Sequence, residues 1–415
     1  VQIFAIDIDG GEAKQISKLP VDVSTFEWMP DGKGFLFTAD VYPNMTIEES
    51  AKEEKKQSES KSKAKVIESL LYRHWNRWID GKYSHVFFMT IENPTTAKDL
   101  IPGAFNCPPI SLGGHLDYTI SKDGKTFYFV KNNDPMVAIS TNNDIFSLCM
   151  ETGVETRITT GRGNDNSPVI SPDGNYLAYL SMAREGFEAD QYDLMLMNIK
   201  TKETKNLTAD FDRDAGHPVF SPDGQYIYFT TDNHARSVIY RLKTTGGLPE
   251  KVVDENYNTS LSITSDNKKL VFAKQSVNLP FEIFTANVDG TDIKQITFSN
   301  KSLLDQIEMN KIEDFWFEAS DGWRVHGLVV KPPKFDETKK YPVICLIHGG
   351  PQGAWNDDFH YRWNLSLFAS PGYVVLAINF RGSKGYGQKF CDAVSGDWGG
   401  GPYREIGRAS CRERV

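Results

Sequence analysis

One phrase recurs through the first three hundred residues and limits what the chain can fold into. It is a tight turn running into a strand: Met29-Pro-Asp-Gly-Lys-Gly-Phe-Leu-Phe37, Ser121-Lys-Asp-Gly-Lys-Thr-Phe-Tyr-Phe129, Ser171-Pro-Asp-Gly-Asn-Tyr-Leu-Ala-Tyr179 and Ser221-Pro-Asp-Gly-Gln-Tyr-Ile-Tyr-Phe229, with a weaker copy at Ser265–Phe272. Proline presets φ, aspartate bonds its own backbone and glycine supplies the left-handed position. A second phrase alternates with it, a hairpin such as Ile283–Thr297, with versions beginning at Ile3, Val86, Ile145, Leu194 and Ile239. Asp173 and Asp223 lie 50 residues apart and Asp266 follows 43 later. Each period holds about four short strands with their turns, the content of a β-propeller blade. The competing reading is a β-sandwich with coincidentally similar turns. Five blades carry both phrases, and Val1–Leu19 carries only a closing hairpin. A propeller closes to hide its sheet edges, so the expectation is a propeller, seven-bladed in the intact protein and incomplete here, with strands missing at the N-terminus.

One blade is interrupted near residues 42–83. Glu48–Lys65 mixes charges of both signs with almost no apolar residue, which suits a solvated helix or a mobile excursion. Ile67, Leu70, Leu71, Trp75 and Trp78 then fall at helical spacing. They read as a helix packed on the blade edge, or as a lid. His74 is expected to be structural, since no metal-ligand cluster accompanies it.

After Thr297 the pattern changes. Ser302–Ile312 reads as a partly helical link. Phe315–Glu318 and Trp323–Val330 read as a hairpin around Ser320-Asp321-Gly322. Tyr341–Ile347 is an apolar run of the kind found in a parallel strand covered on both faces, and it breaks into His348-Gly349-Gly350-Pro351. The two glycines allow φ > 0 and bring bare N–H groups close to a ligand; a buried strand opening into such a loop forms half of an oxyanion hole in α/β-hydrolases. A helix at Phe359–Ser370, a buried strand at Tyr373–Asn379, the loop Arg381–Gly387 and a helix at Gln388–Ser395 follow. Strands alternating with helices after a run of strands indicate a separate α/β domain with a parallel sheet.

Composition narrows the setting. The 415 residues are 40% hydrophobic and 24% charged, with formal net charge -9 and pI ≈ 5.5. That is a globular composition with no basic field for nucleic acid. No run is long enough to span a membrane. Cys107, Cys149, Cys345, Cys391 and Cys411 show neither metal spacing nor a disulfide framework. The chain starts at Val1, inside a strand, so it is silent about a signal peptide; the compartment stays open, with the periplasm favoured over the cytoplasm. A homo-oligomer also stays open. No cofactor and no metal are expected.

Taken together, the Pro-Asp-Gly repeats, His348-Gly-Gly-Pro351, Asn379-Phe-Arg-Gly-Ser-Lys-Gly-Tyr-Gly387 and Ser395-Gly-Asp-Trp-Gly-Gly400 resemble the prolyl oligopeptidase family of serine peptidases. Arg73-His-Trp-Asn-Arg-Trp78 and Tyr361-Arg-Trp-Asn364 look most like its dipeptidyl-peptidase-5 and acylaminoacyl-peptidase branch. The resemblance runs from Val1 to about Tyr403. It implies a propeller over residues 1–300 that caps the N-terminal part of an α/β-hydrolase domain over residues 301–403 and admits short peptides. It also implies attack by a Ser–His–Asp triad, with the oxyanion held by backbone N–H groups. The matching donor here is Gly350, with Gly349 shaping the loop. His348 stands where sister branches carry a tyrosine and is not the triad base, which belongs later in the fold. His348, Arg381 and Tyr386 are candidates for the substrate entrance, with a structural role for the loop as the alternative.

No Gly-x-Ser-x-Gly occurs in the sequence, although a hydrolase of this order carries its nucleophile there. The expectation is therefore that no triad residue is present in the chain and that it is inactive as it stands. Residues 404–415 are arginine-rich and read as a foreign tail without the expected apolar helix. Two other functions compete: a non-catalytic propeller that binds protein partners, and an esterase with a propeller appendage.

Overall fold

The structure is a computed structural model that describes residues 1–68, 70–115 and 117–412. Its chain divides into two compact units, Val1–Glu188 with Met195–Thr204, and Ala189–Leu194 with Lys205–Val415.

The recurring turns show why the sequence repeats. At Ser171 the hydroxyl donates to Asp173 Oδ1 (2.6 Å) and accepts from the N–H of Tyr176 (2.9 Å), while Asp173 Oδ1 accepts from the N–H of Asn175 (3.0 Å). Gly174 closes the turn at φ 74° with its N–H on Ser171 O. The same bonds recur at Ser121 with Asp123 and at Ser221 with Asp223. In the fifth, weaker copy Thr264 replaces the serine, donating to Asp266 Oδ1 at 2.7 Å, and Asn267 takes the glycine position at φ 56°. Each turn launches a strand of alternating large apolar residues.

Five four-stranded antiparallel units result. The first orders Phe26–Trp28, Gly34–Val41, Tyr83–Thr90 and Lys98–Asp99, and the second Tyr118–Ile120, Thr126–Asn132, Asn143–Cys149 and Glu155–Arg157. The third begins with Asp165–Ile170 and Tyr176–Ser181. The last two are joined into one sheet by a parallel link between Ser237 and Tyr257. Phe4–Ala5 and Lys14–Gln15 form a separate hairpin. Between blades the core is aromatic: Leu36, Val86, Phe127, Phe129 and Phe146 form one buried cluster. Each such ring contributes about 2–3 kcal/mol by burial.

The interruption of the first blade differs from expectation in its second half. Ile47–Glu59 is a helix, started by a capping box in which Thr46 and Glu49 satisfy each other's backbone. The described residues of 67–78 are not helical. Arg73–His74 pairs with Arg77–Trp78 in a small hairpin, and Ile67, Leu70, Trp75 and Trp78 are exposed. His74 is exposed on that hairpin and packs in no core. Helical spacing cannot act as a stripe when no facing surface covers it.

The α/β part is a four-stranded sheet of β1 (Glu313–Glu318), β2 (Arg324–Val330), β3 (Val343–Ile347) and β4 (Val374–Asn379), in the order β1-β2-β4-β3. β4 is buried throughout and runs parallel to β3. On one face Val375 and Ala377 meet Leu365 and Ala369 of the helix Leu365–Ala369; on the other Val374, Leu376 and Ile378 meet Ala409 of the helix Gly401–Arg412. Three expectations change here. β3 is the edge of this sheet, with Val343 and Ile347 exposed, because it has a partner on one side only. The helix expected from Phe359 begins at Leu365, because the Asn364 side chain accepts from the N–H of Leu367 and starts it there. The tail expected to lack a helix forms one through Arg412, and residues 413–415 of it lie outside the described residues.

Replacing Ser171 with alanine removes an acceptor and a donor from a buried turn and is expected to cost about 1–2 kcal/mol in chemical denaturation. Ser171→Thr should retain most of that stability, as Thr264 does the same work; an unchanged Ser171→Ala midpoint would refute this account of the repeat.

Candidate active site

The glycine loop leaves the C-terminal end of β3 and borders a cleft of about 420 Å³ lined by Leu346, Ile347, His348, Gly349, Trp355 and Asp358 among others. Gly350 sits at φ 127°, and a Cβ built there would lie 2.7 Å from the N atoms of Gln352 and Gly353. Only glycine fits. Among the described residues the N–H groups of Gly349 and Gly350 have no protein acceptor. Bare, outward N–H groups on such a loop are what a developing oxyanion requires.

A loop with unsatisfied backbone needs outside support, and Asn379 supplies it. From the end of β4 its side-chain Oδ1 accepts from the N–H of Trp355 (2.8 Å) and its Nδ2 donates to Trp355 O (2.9 Å). The indole N–H of Trp355 in turn donates to Leu346 O on β3 (3.1 Å). Asn379 Nδ2 also reaches the Tyr386 hydroxyl at 2.8 Å, which lies 2.6 Å from His326 Nδ1, while His326 Nε2 faces Asp314 Oδ1 at 2.9 Å. Arg236 donates to the other oxygen of Asp314 at 2.9 Å. With Asp314 ionised, His326 carries its proton on Nε2 and accepts from Tyr386, so every group in the line is satisfied. Burial pushes the Tyr386 phenol above its ordinary range and keeps it a donor.

A second anchor follows two residues later. Asp357 accepts from Asn256 Nδ2 (2.6 Å) and from the N–H of Val277 (2.9 Å), and its own N–H donates to Ala235 O. Two hairpin tips and the link between the last two blades thus grip one aspartate. Asn364 adds a bond from Nδ2 to Val277 O at 3.1 Å.

The three expected entrance residues fare differently. His348 stacks on Phe380 with centroids 4.4 Å apart, and its ring nitrogens lie 2.8 Å from Gly349 O and from Ser383 Oγ. Burial lowers its pKa below the usual histidine value, so the ring is neutral near pH 7. Asp358 in the same cleft is pushed up to about 6 by burial. Tyr386 supports the loop through Asn379 as described. Arg381 is buried, with its backbone N–H and Nε on Glu405 and its Nη2 on Asp321 at 2.7 Å. The hydrogen bonds and charges of Asp321 and Glu405 overcome the burial that opposes its positive charge.

The glycines of that loop have packing reasons. A Cβ at Gly382 would lie 2.8 Å from Val394, at Gly385 3.2 Å from the Asp232 carbonyl, and at Gly387 2.2 Å from Asp212 Oδ2. Asp212 Oδ1 accepts from the N–H of Gln388, and Lys384 donates to Asp214 at 2.9 Å. The glycines of the loop lie flat against blade residues. Sequence reasoning missed Asn379, Trp355, Asp357, Ser383 and His326. The available signal was a carboxamide ending five apolar residues, Val374–Ile378, and the polar run Asn356-Asp357-Asp358 just after the glycines.

Both parts of the chain are similar to known proteins. A profile described as the TolB beta propeller domain matches residues 119–307, and one described as the prolyl oligopeptidase family matches residues 359–410. The chain is 30% identical over 398 residues to dipeptidyl-peptidase 5 of Porphyromonas gingivalis, an alignment covering 92% of this chain and 56% of that protein. It is 31% identical over 411 residues to dipeptidyl-peptidase 5 of Porphyromonas endodontalis, covering 98% and 58%. The Pyrococcus horikoshii acylaminoacyl peptidase superposes with TM-score 0.74 at 18% identity, covering 98% of this chain and 58% of that one; at that identity the likeness concerns fold. The chain spans a little over half the length of these relatives.

Replacing Arg381 with methionine leaves Glu405 buried without a counter-charge and should cost about 3–5 kcal/mol by chemical denaturation. Adding Glu405→Leu to that variant should recover most of the loss; a double variant no more stable than the single one would show that the pair is not coupled as described.

Proposed function

The chain belongs to the prolyl oligopeptidase family, and we propose that it supplies the propeller and the oxyanion-binding loop of a serine peptidase that releases dipeptides or acylated residues from short peptides. The observation that carries the reading is the pair of free N–H groups at Gly349 and Gly350, held at the end of β3 by Asn379 and Asp357. Gly350 is the donor to the oxyanion and Gly349 shapes the turn before it. Residues 1–300 form the propeller that restricts access, and residues 301–403, with the helix that runs on to Arg412, begin the hydrolase domain. On this reading His348 borders the path to the reacting carbonyl, while Tyr386 and Arg381 brace the loop that follows β4. The names of the relatives support the substrate class.

Attack on a peptide bond needs a nucleophile as well. A serine hydroxyl would add to the carbonyl carbon and pass its proton to a histidine, leaving the charge on the carbonyl oxygen facing Gly350. The sequence contains no Gly-x-Ser-x-Gly, and Ser383, although 2.8 Å from His348, is buried and lies 2.6 Å from Phe380 O. On this reading the triad is carried by sequence outside these residues. A fluorophosphonate probe should therefore leave the 415-residue chain unlabelled and label one serine in a protein of the length its relatives have. In that longer protein, Gly350→Ala keeps an N–H but forces it out of place, because the new Cβ meets the N atoms of Gln352 and Gly353, and should lower kcat for a dipeptidyl substrate about a hundredfold, as loss of one oxyanion donor does. Active-site labelling of the short chain, or an unaffected Gly350→Ala enzyme, would contradict the proposal, and a preference for simple esters over dipeptidyl substrates would redirect it to an esterase.

A further inference from the structure

A second opening in the unit Ala189–Leu194 with Lys205–Val415 shares no lining residue with the cleft at His348. Its volume is about 460 Å³ and it is lined by His234, Trp316, Arg324, Tyr386 and Phe390. The walls are aromatic. His234 meets the Trp316 ring edge-on with centroids 5.1 Å apart, Trp316 and Tyr386 are 6.1 Å apart at 71°, and Tyr386 and Phe390 are 5.2 Å apart. The Arg324 guanidinium lies over Trp316 at 4.5 Å.

The charges at this opening are unbalanced in a chain whose formal net charge is -9. Arg324 is exposed, lies opposite Glu318 in the strand register, and makes no ion pair within 4.0 Å among the described residues. The other nearby acids are committed elsewhere: Asp314 to Arg236 and His326, Asp254 to Lys251 at 3.7 Å, and Asp212 to Arg213 at 3.5 Å. Burial, then neighbouring positive charges, Arg213 foremost, press the pKa of His234 down to about 4. Its ring is therefore neutral at pH 7 and adds an aromatic edge without competing for an anion.

A planar guanidinium beside flat rings matches a carboxylate attached to an aromatic body, since arginine holds carboxylates through two parallel N–H bonds and rings prefer edge and offset contacts. A phosphate would want several donors around it, and the lining offers one arginine with no serine or threonine. We propose that this cleft binds the free α-carboxylate of a short peptide ending in an aromatic residue, with Arg324 on the carboxylate and Trp316, Tyr386 and Phe390 around the ring. The peptide identity of the ligand rests on the peptidase reading above; the carboxylate and ring preferences rest on the cleft alone.

Calorimetric titration of the chain with N-acetylphenylalanine and with N-acetylphenylalaninamide separates charge from shape. The acid should bind about tenfold more tightly than the amide, the ratio expected for one charge-assisted contact. Arg324→Met should abolish that ratio while leaving the thermal unfolding midpoint in place, and Arg324→Lys should fall between. Equal binding of acid and amide, binding of neither, or a ratio that survives Arg324→Met would overturn the inference. The titration needs no turnover. A longer protein that hydrolyses dipeptidyl substrates without this preference sinks the cleft alone, and the preference in a protein that hydrolyses nothing sinks the peptidase reading alone.

Discussion

The two-sided clamp of the Asn379 side chain on the backbone of Trp355 is the interaction on which the rest of the site depends. A loop that presents free N–H groups to a reacting carbonyl cannot hold itself together with those same groups. Its order has to come from neighbours. Asn379 is fully buried at the last position of β4, where an apolar residue would leave the Trp355 N–H and C=O unmet at a cost of about 1–3 kcal/mol each. The line from Asn379 through Tyr386, His326 and Asp314 to Arg236 continues the support into a blade hairpin. Such a network is strong when complete and a liability when one member is missing. Asp357 makes the second attachment, to two hairpin tips and the link between the last two blades. The loop is thus positioned by the α/β sheet on one side and by blade residues on the other.

This arrangement gives the surrounding glycines two distinct meanings. Gly350 is required because its backbone turns at positive φ under the N atoms of Gln352 and Gly353. Gly382, Gly385 and Gly387 are required because protein packs where a side chain would be. A glycine-rich loop at the carboxyl end of a parallel strand suggests ligand binding, yet Arg381, Lys384 and Gln388 around these glycines are all bonded to protein carboxylates or carbonyls. The loop fastens elements of one unit to each other.

What could be read in the sequence follows from how local each cause is. The Ser-x-Asp-Gly turns were legible because their bonds close within five residues, and the repeat period because every blade restates it. The glycine pair at 349–350 was legible for the same reason. Asn379 stood in a motif without a role, because its partner lies 24 residues away across the sheet. Ile67–Trp78 misled because spacing records a face without saying whether anything covers it. The edge position of β3 was hidden for a related reason: an apolar run looks the same whether it has one neighbour strand or two. Glu405 had no visible purpose in an arginine-rich tail until the guanidinium of Arg381 was found beside it.

The central claim is that this loop receives the oxyanion through Gly350. The direct measurement is a crystal structure of a protein of the relatives' length, containing this chain and phosphonylated on its reactive serine. The account predicts a phosphonyl oxygen about 2.7–3.1 Å from the Gly350 nitrogen, with Trp355 still clamped by Asn379. A phosphonyl oxygen bound by other donors, with the Gly349–Gly350 N–H groups pointing away from it, would contradict the account.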